Sequence, residues 1–150
     1  MIKILFICHG NICRSPMAEF IMKDIVKKNG TDHLFKVSSC ATSREEIGND
    51  MYPPAKRKLD EKGISYSKRR ARQITEADFA ENDYLICMDG NNIRNLNRIF
   101  SSDKAGRVKM LMSYCGEERD VKDPWYTGDF EEAYEDILNG CEALYEFIMK

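Results

Sequence analysis

The chain has 150 residues, 43% of them hydrophobic and 32% charged, with a formal net charge of −2 at pH 7. That is the size of one ordinary domain, able to bury roughly two-thirds of the surface its unfolded chain exposes, and it leaves no room for a second catalytic domain. The slight acidic excess speaks against a general nucleic-acid binder, and no apolar run is long enough to cross a bilayer.

The first predicted element is the apolar run from Ile2 to Cys8. One lysine lies within it and no small-residue cleavage site follows, so it reads as a strand rather than a signal peptide. Cysteines stand at 8, 13, 40, 87, 115 and 141, mostly inside apolar runs of a chain that needs no staples. They are expected to be reduced thiols of a cytoplasmic protein, with Cys40, Cys87, Cys115 and Cys141 as core or incidental residues.

After the first strand the sequence turns small, polar and cationic through His9, Gly10, Asn11, Ile12, Cys13 and Arg14. Ser15-Pro16 reads as an N-cap with proline at the first helical position, and Met17, Phe20, Ile21 and Ile25 then follow at helical spacing. Further strand-length runs lie at 35–40, 84–88 and 108–112. Residues 41–75 read as irregular, with Gly48, Pro53, Pro54 and Gly63 around a short helical stretch. The basic run Lys68 to Arg72 reads as a solvated surface. Ile93, Leu96 and Phe100 mark another helix. The last helix starts near Phe130, where Asp129 with Glu132 resembles a capping box. Strands alternating with helices imply a parallel sheet covered on both faces.

The loop from Cys8 to Arg14 is therefore expected to leave the carboxyl end of a parallel strand and enter a helix N-terminus. Outward-pointing N–H groups and the helix dipole attract an anion there. Gly10 lets the chain turn, the five intervening residues can wrap one tetrahedral group, and Arg14 can grip two of its oxygens. The same positive surroundings favour the thiolate of Cys8. With only His9 and His33 as imidazoles, and no second ligand pair beside Cys8 and Cys13, no metal site and no cofactor are expected.

The string from Cys8 to Pro16 resembles the signature loop of the low-molecular-weight protein tyrosine phosphatases. The likeness continues through Ala41-Thr42-Ser43, Ile47-Gly48-Asn49, the stretch from Ala71 to Thr75 with Asp78-Phe79, the stretch from Tyr84 to Asp89, and Asp123-Pro124-Trp125-Tyr126. It implies one domain over residues 1–150 with a three-layer α/β/α fold. Its core would be a four-stranded parallel sheet of Rossmann/flavodoxin-like topology, with helices on both faces. It also implies hydrolysis of phosphotyrosine through a cysteinyl-phosphate. Cys8 matches the nucleophile, Arg14 the phosphate clamp, Asp123 the general acid and base, Ser15 a hydroxyl that assists the thiolate, and Asn11 a side chain that fixes the loop. Cys13 matches a second loop cysteine that can close a protective disulfide with Cys8, or it is a bystander. His9, Gly10, Ile12, Glu45, Trp125 and Tyr126 complete the expected substrate slot, which aromatic walls make deep enough to favour phosphotyrosine over phosphoserine. The partners implied are phosphotyrosine-containing proteins, with inorganic phosphate as product and the chain itself a monomer or weak homodimer.

Three positions depart from the family pattern. His9 replaces an apolar residue, and Glu45, followed by Glu46, replaces a frequent aromatic, so basic residues flanking the phosphotyrosine are expected to be preferred. Arg69 stands where some relatives carry a histidine that supports the loop asparagine, and the network around Asn11 is either rebuilt or lost. Rival readings are a protein arginine phosphatase, which Ile12 in place of threonine disfavours; an arsenate reductase, which needs further relay thiols; and a non-catalytic phosphopeptide-binding module, which would not keep Asp123.

Overall fold

The computed structural model describes residues 1–100 and 106–150. Strands β1 (Ile2–Cys8), β2 (Phe35–Ala41), β3 (Tyr84–Cys87) and β4 (Val108–Met110) form one parallel sheet in the order β2-β1-β3-β4. Between and after them run α1 (Arg14–Lys28), α2 (Pro53–Glu61), α3 (Glu76–Glu81), α4 (Gly90–Ile99), the single turn α5 (Pro124–Thr127) and α6 (Phe130–Met149). This is the flavodoxin-like arrangement with its order reversing between β1 and β3, where open α/β sheets bind ligands outside the strands' carboxyl ends.

The alternation of β1 feeds two cores. Ile4, Phe6 and Cys8 face Met17, Phe20 and Ile21 of α1, Ala55 and Leu59 of α2, and Ile137, Cys141 and Leu144 of α6. Leu5 and Ile7 face Cys40, Leu85, Cys87 and Leu96, with Phe79 and Phe100 stacked at 4.4 Å beside them. A strand buried on both faces has no polar position, hence the unbroken apolar run in the sequence. Of the four cysteines set aside as core or incidental, Cys40, Cys87 and Cys141 are buried and Cys115 is exposed.

Some boundaries differ from the sequence reading. The last strand stops at Met110, because Leu111 and Met112 turn inward in a 3-10 turn (Leu111–Cys115) that packs under α6. Gly140 of α6 passes so close to this turn that a Cβ there would collide with Leu111. Helix α1 begins at Arg14, so Pro16 is its third residue, still among the N–H positions that lack an intrahelical partner, and Ser15 is not the cap. At α6, Asp129 accepts from the Glu132 N–H at 2.9 Å, but the reciprocal half of the box is missing: the Asp129 N–H donates to Thr127 Oγ1, and Glu132 lies 3.7 Å from Lys122.

The irregular stretch after β2 is ordered by backbone bonds. Ala41 donates to the carbonyl of Arg72 at 2.7 Å and accepts from Ile74 at 2.8 Å, laying residues 72–74 along the edge of β2. Thr75 and Asp78 then form a full capping box that starts α3. Among the described residues, no helix is long and apolar enough to cross a membrane.

Candidate active site

The loop from His9 to Cys13 leaves the carboxyl end of β1 and wraps the N-terminus of α1. Asn11 is its pivot: it is fully buried and sits at φ 60, a left-handed conformation that asparagine tolerates better than most residues. The side chain stabilises that turn by using all its hydrogen-bonding capacity. Its Nδ2 donates to Ser15 Oγ at 2.7 Å and to Ser39 Oγ at 3.0 Å, while Oδ1 accepts from Arg69 Nη2 at 2.5 Å and from the Arg72 N–H at 3.2 Å. Donors on one side and acceptors on the other fix which end of the amide is which. Arg69 Nη2 also reaches the main-chain oxygen of Asn11 at 2.6 Å.

The network around Asn11 is thus rebuilt around an arginine. Two members of the basic run expected to be merely solvated are engaged instead: Arg69 holds Asn11, and Arg72, still partly exposed, binds Asp78 through both terminal nitrogens at 2.6 and 3.2 Å. Lys68 between the chain's turn and Arg69 remains exposed.

Ser15, released from capping, sits 3.0 Å from Cys8 Sγ. It accepts from Asn11 Nδ2, so its own proton is shared between the sulfur and the Cys40 carbonyl, 3.4 Å away. The Asn11 N–H donates to the same sulfur at 3.3 Å. Cys13, buried beside them, has its thiol pushed up by burial, with the charges of Cys8 and Asp123 adding to the effect.

Arg14 is 3% exposed and spans the floor. Its Nη1 donates to Asp89 Oδ2 at 2.8 Å and to the Val121 carbonyl at 2.7 Å, and Nη2 lies 3.4 Å from Asp123 Oδ2. Burial opposes its charge, but Cys8, Asp123 and Asp89 outweigh burial and hold the guanidinium above its ordinary range. Asp123 comes from the far end of the chain. It is the N-cap of α5, with Oδ1 accepting from the Trp125 N–H at 3.0 Å, so the aspartate-proline pair opens a helical turn rather than lying in an extended loop.

Above this floor is a cleft with a cavity volume of ≈ 130 Å³, lined by Cys8, the loop through Arg14, Glu45, Glu46, Asp123, Trp125 and Tyr126. Every predicted site residue except Ser15 lines it, and Ser15 lies beneath, against the sulfur. Trp125 is 50% exposed and Tyr126 81%, as rim residues would be. His9 Nε2 meets Glu45 Oε2 at 2.7 Å across the mouth, and Glu46 accepts from Asn49 at 3.0 Å, so the acidic wall is partly matched from within.

Sequence reasoning missed Asp89, Ser39 and Glu19. Asp89 anchors Arg14 while capping α4 through the Asn92 N–H at 2.8 Å, and Ser39 passes the Asn11 bond on to Glu19 Oε1 at 2.6 Å. Asp89 had a readable signal, an acidic residue just after a strand and three before Asn92. Ser39 and Glu19 had none, since one is an inward residue of an edge strand and the other lies on a helix.

A thiol, a clamping guanidinium and a carboxylate around an anion-sized loop at the switch point of a parallel sheet have the parts that thiol-based transfer of an oxyanion group requires. The chain belongs to the low molecular weight phosphotyrosine protein phosphatase family, whose model matches residues 3–150. It is 40% identical to the low molecular weight protein-tyrosine-phosphatase YfkJ of Bacillus subtilis over 100% of this chain and 97% of that one. The crystal structure of YfkJ superposes with a TM-score of 0.95 over 99% of this chain and 95% of that one. The human low molecular weight phosphotyrosine protein phosphatase is 39% identical, covering 96% of this chain and 94% of its own. The phosphatase SP-PTP of Streptococcus pyogenes is 38% identical, with a TM-score of 0.89 over 100% of this chain and 95% of its own.

Proposed function

We propose that residues 1–150 form a single catalytic domain that hydrolyses phosphotyrosine in proteins, with Cys8 as nucleophile, Arg14 as phosphate clamp and Asp123 as general acid and base. The observation that carries this reading is the convergence of Cys8, Arg14 and Asp123, from β1, α1 and the start of α5, on one cleft. Cys8 Sγ attacks phosphorus in line, the bond to the tyrosine oxygen breaks, and Asp123 gives that oxygen its proton. Loop N–H groups and Arg14 hold the equatorial oxygens as charge spreads over them. Water then attacks the cysteinyl-phosphate, Asp123 takes the proton of the water, and the sulfur leaves as a thiolate that meets the Ser15 hydroxyl. Inorganic phosphate is the product.

Trp125 and Tyr126 at the rim support a slot deep enough to select an aryl phosphate. Six free thiols suit a reducing, cytoplasmic compartment. Glu45 and Glu46 at the mouth of the cleft favour basic flanking residues in the substrate.

Cys8→Ser is expected to abolish turnover of aryl phosphates while leaving phosphate binding, and Asp123→Ala to slow poor leaving groups by about 10²- to 10⁴-fold. Full activity in either variant would overturn the assignment. Absence of turnover by the wild-type protein would point instead to a phosphopeptide-binding module, and faster turnover of phosphoarginine than phosphotyrosine peptides to an arginine phosphatase.

A further inference from the structure

Helix α5 is only Pro124–Thr127, a single turn, and one turn of helix does not hold its shape without tertiary support. It nevertheless carries the carboxylate that must face the sulfur. Aromatic support for it comes from Tyr52. The Tyr52 ring packs against Trp125 with centroids 4.7 Å apart and planes at 54°, and against Phe130, the first residue of α6, at 6.1 Å. Trp125 in turn aims Asp123, since its N–H donates to Asp123 Oδ1. The main chain of Tyr52 makes a second connection, because its N–H donates to the carbonyl of Ile12 at 2.8 Å, in the middle of the anion loop. Tyr52 is itself fixed as the N-cap of α2, immediately before Pro53 and Pro54, so it offers a stiff post between the two loops.

We propose that Tyr52 is a positioning residue that couples the anion loop to the acid-bearing turn. Its backbone sets the height of Ile12, its ring sets the height of Trp125, and the separation of Asp123 from Cys8 follows from both. The assignment rests on the phosphatase reading for its catalytic consequence, and makes a claim about Trp125 that stands without it. The ring makes the contact, and among the described residues the hydroxyl makes no hydrogen bond, so phenylalanine should serve equally well, whereas alanine keeps the N–H to Ile12 and loses only the support of the turn.

Trp125 is the only tryptophan in the chain, so its emission reports on this contact directly. Tyr52→Ala is expected to shift the emission of the full-length protein to longer wavelength and lower its anisotropy, with Tyr52→Phe matching the wild type. In kinetics, Tyr52→Ala should lower kcat/KM, which reports the steps up to departure of the phenol, about 10-fold on phenyl phosphate, a poor leaving group that needs the acid, but less than twofold on a dinitrophenyl phosphate that does not. Inhibition by inorganic phosphate should be unchanged, and Tyr52→Phe should restore the phenyl phosphate rate. Unchanged Trp125 emission, or equal losses on both esters together with weaker phosphate binding, would overturn the proposal; the second pattern is that of a generally damaged fold. If the wild type turned over neither ester, the phosphatase reading would fail, and the emission arm alone would decide the role of Tyr52.

Discussion

Arg69 holds both oxygens of Asn11: one terminal nitrogen donates to the main-chain carbonyl at 2.6 Å and to the side-chain carbonyl at 2.5 Å. The contact grips the one non-glycine residue among those described whose φ is positive, at the point where the anion loop bends hardest. Arg69→Ala leaves two acceptors short of a donor inside the protein, which costs about 1–3 kcal/mol, and should lower activity by about 10-fold or more. Arg69→Lys should recover little, since a compact ammonium on a flexible stem does not reproduce a planar fork. Urea unfolding together with aryl phosphate kinetics checks both statements; wild-type values in Arg69→Ala would show that Arg72 alone suffices.

The Arg72–Asp78 pair makes the same region acid-sensitive. Burial pushes the Asp78 carboxyl up, but the hydrogen bonds from Arg72 and Thr75 outweigh it and hold the group below its ordinary value of 3.8. A carboxyl depressed by folding contributes stability that is fully present above 3.8 and is lost as the pH falls through the lower folded value. Asp78→Asn should therefore be less stable than the wild type near neutrality, with the difference closing in acid. Urea midpoints measured from about pH 6 down to about pH 3 test this, and a constant gap would contradict it.

Gly140 is where α6 comes closest to the 3-10 turn beneath it. Adding one methyl there should gain up to about 1 kcal/mol in helix propensity, and overpacking against Leu111 should cost about 1–3 kcal/mol, so Gly140→Ala is expected to be destabilising on balance. Shortening Leu111 to alanine in the Gly140→Ala background should cost less than the same change in the wild type. A double-mutant cycle by urea denaturation measures the coupling, and additivity would show that the helix simply moves away.

Cys8 and Cys13 line one cleft but differ in surroundings. Cys8 Sγ receives the Asn11 N–H, whereas burial and the neighbouring negative charges keep Cys13 a neutral thiol. Iodoacetate near neutral pH should label Cys8 and spare Cys13, with inorganic phosphate protecting Cys8. Peroxide should inactivate the wild type in a way dithiothreitol reverses, and Cys13→Ser irreversibly, because the second thiol then cannot capture the oxidised sulfur. Peptide mass mapping separates these outcomes, and equal reversibility in the two proteins would make Cys13 a bystander.

The sequence revealed the parts of the fold and site that depend on local pattern, and missed those that depend on what lies across the molecule. The buried run of β1, the helical face of α1, the short helical stretch within 41–75 and the start of α6 are all local signals; β1 and α6 begin where expected, α2 lies within its stretch, and α1 begins two residues before Pro16. The string from Cys8 to Arg14 is likewise contiguous, so the loop joining β1 to α1 could be read directly. Ser15 was misread only as a cap, because a hydroxyl before a proline looks like one; its place against Cys8, which the family resemblance implied, is where the structure puts it. The basic run misled for a similar reason: Lys68 points to water, and nothing local tells that Arg69 reaches Asn11 or that Arg72 pairs with Asp78. The end of β4 was set by a contact from a distant part of the chain, between Leu111 and Gly140.

The anion loop hangs from the innermost strand, whose residues Ile4 to Ile7 have no solvent exposure. Amides of such a strand exchange with solvent only through the largest opening events, those that approach complete unfolding. A ligand that binds the loop should then slow hydrogen exchange well beyond its own contacts, throughout β1 and its hydrogen-bonded neighbours, and raise the melting temperature of the whole molecule. Inorganic phosphate would act as a lock on the centre of the sheet, though it would touch only the strand's last residue, the turn beyond and Arg14 at the start of α1.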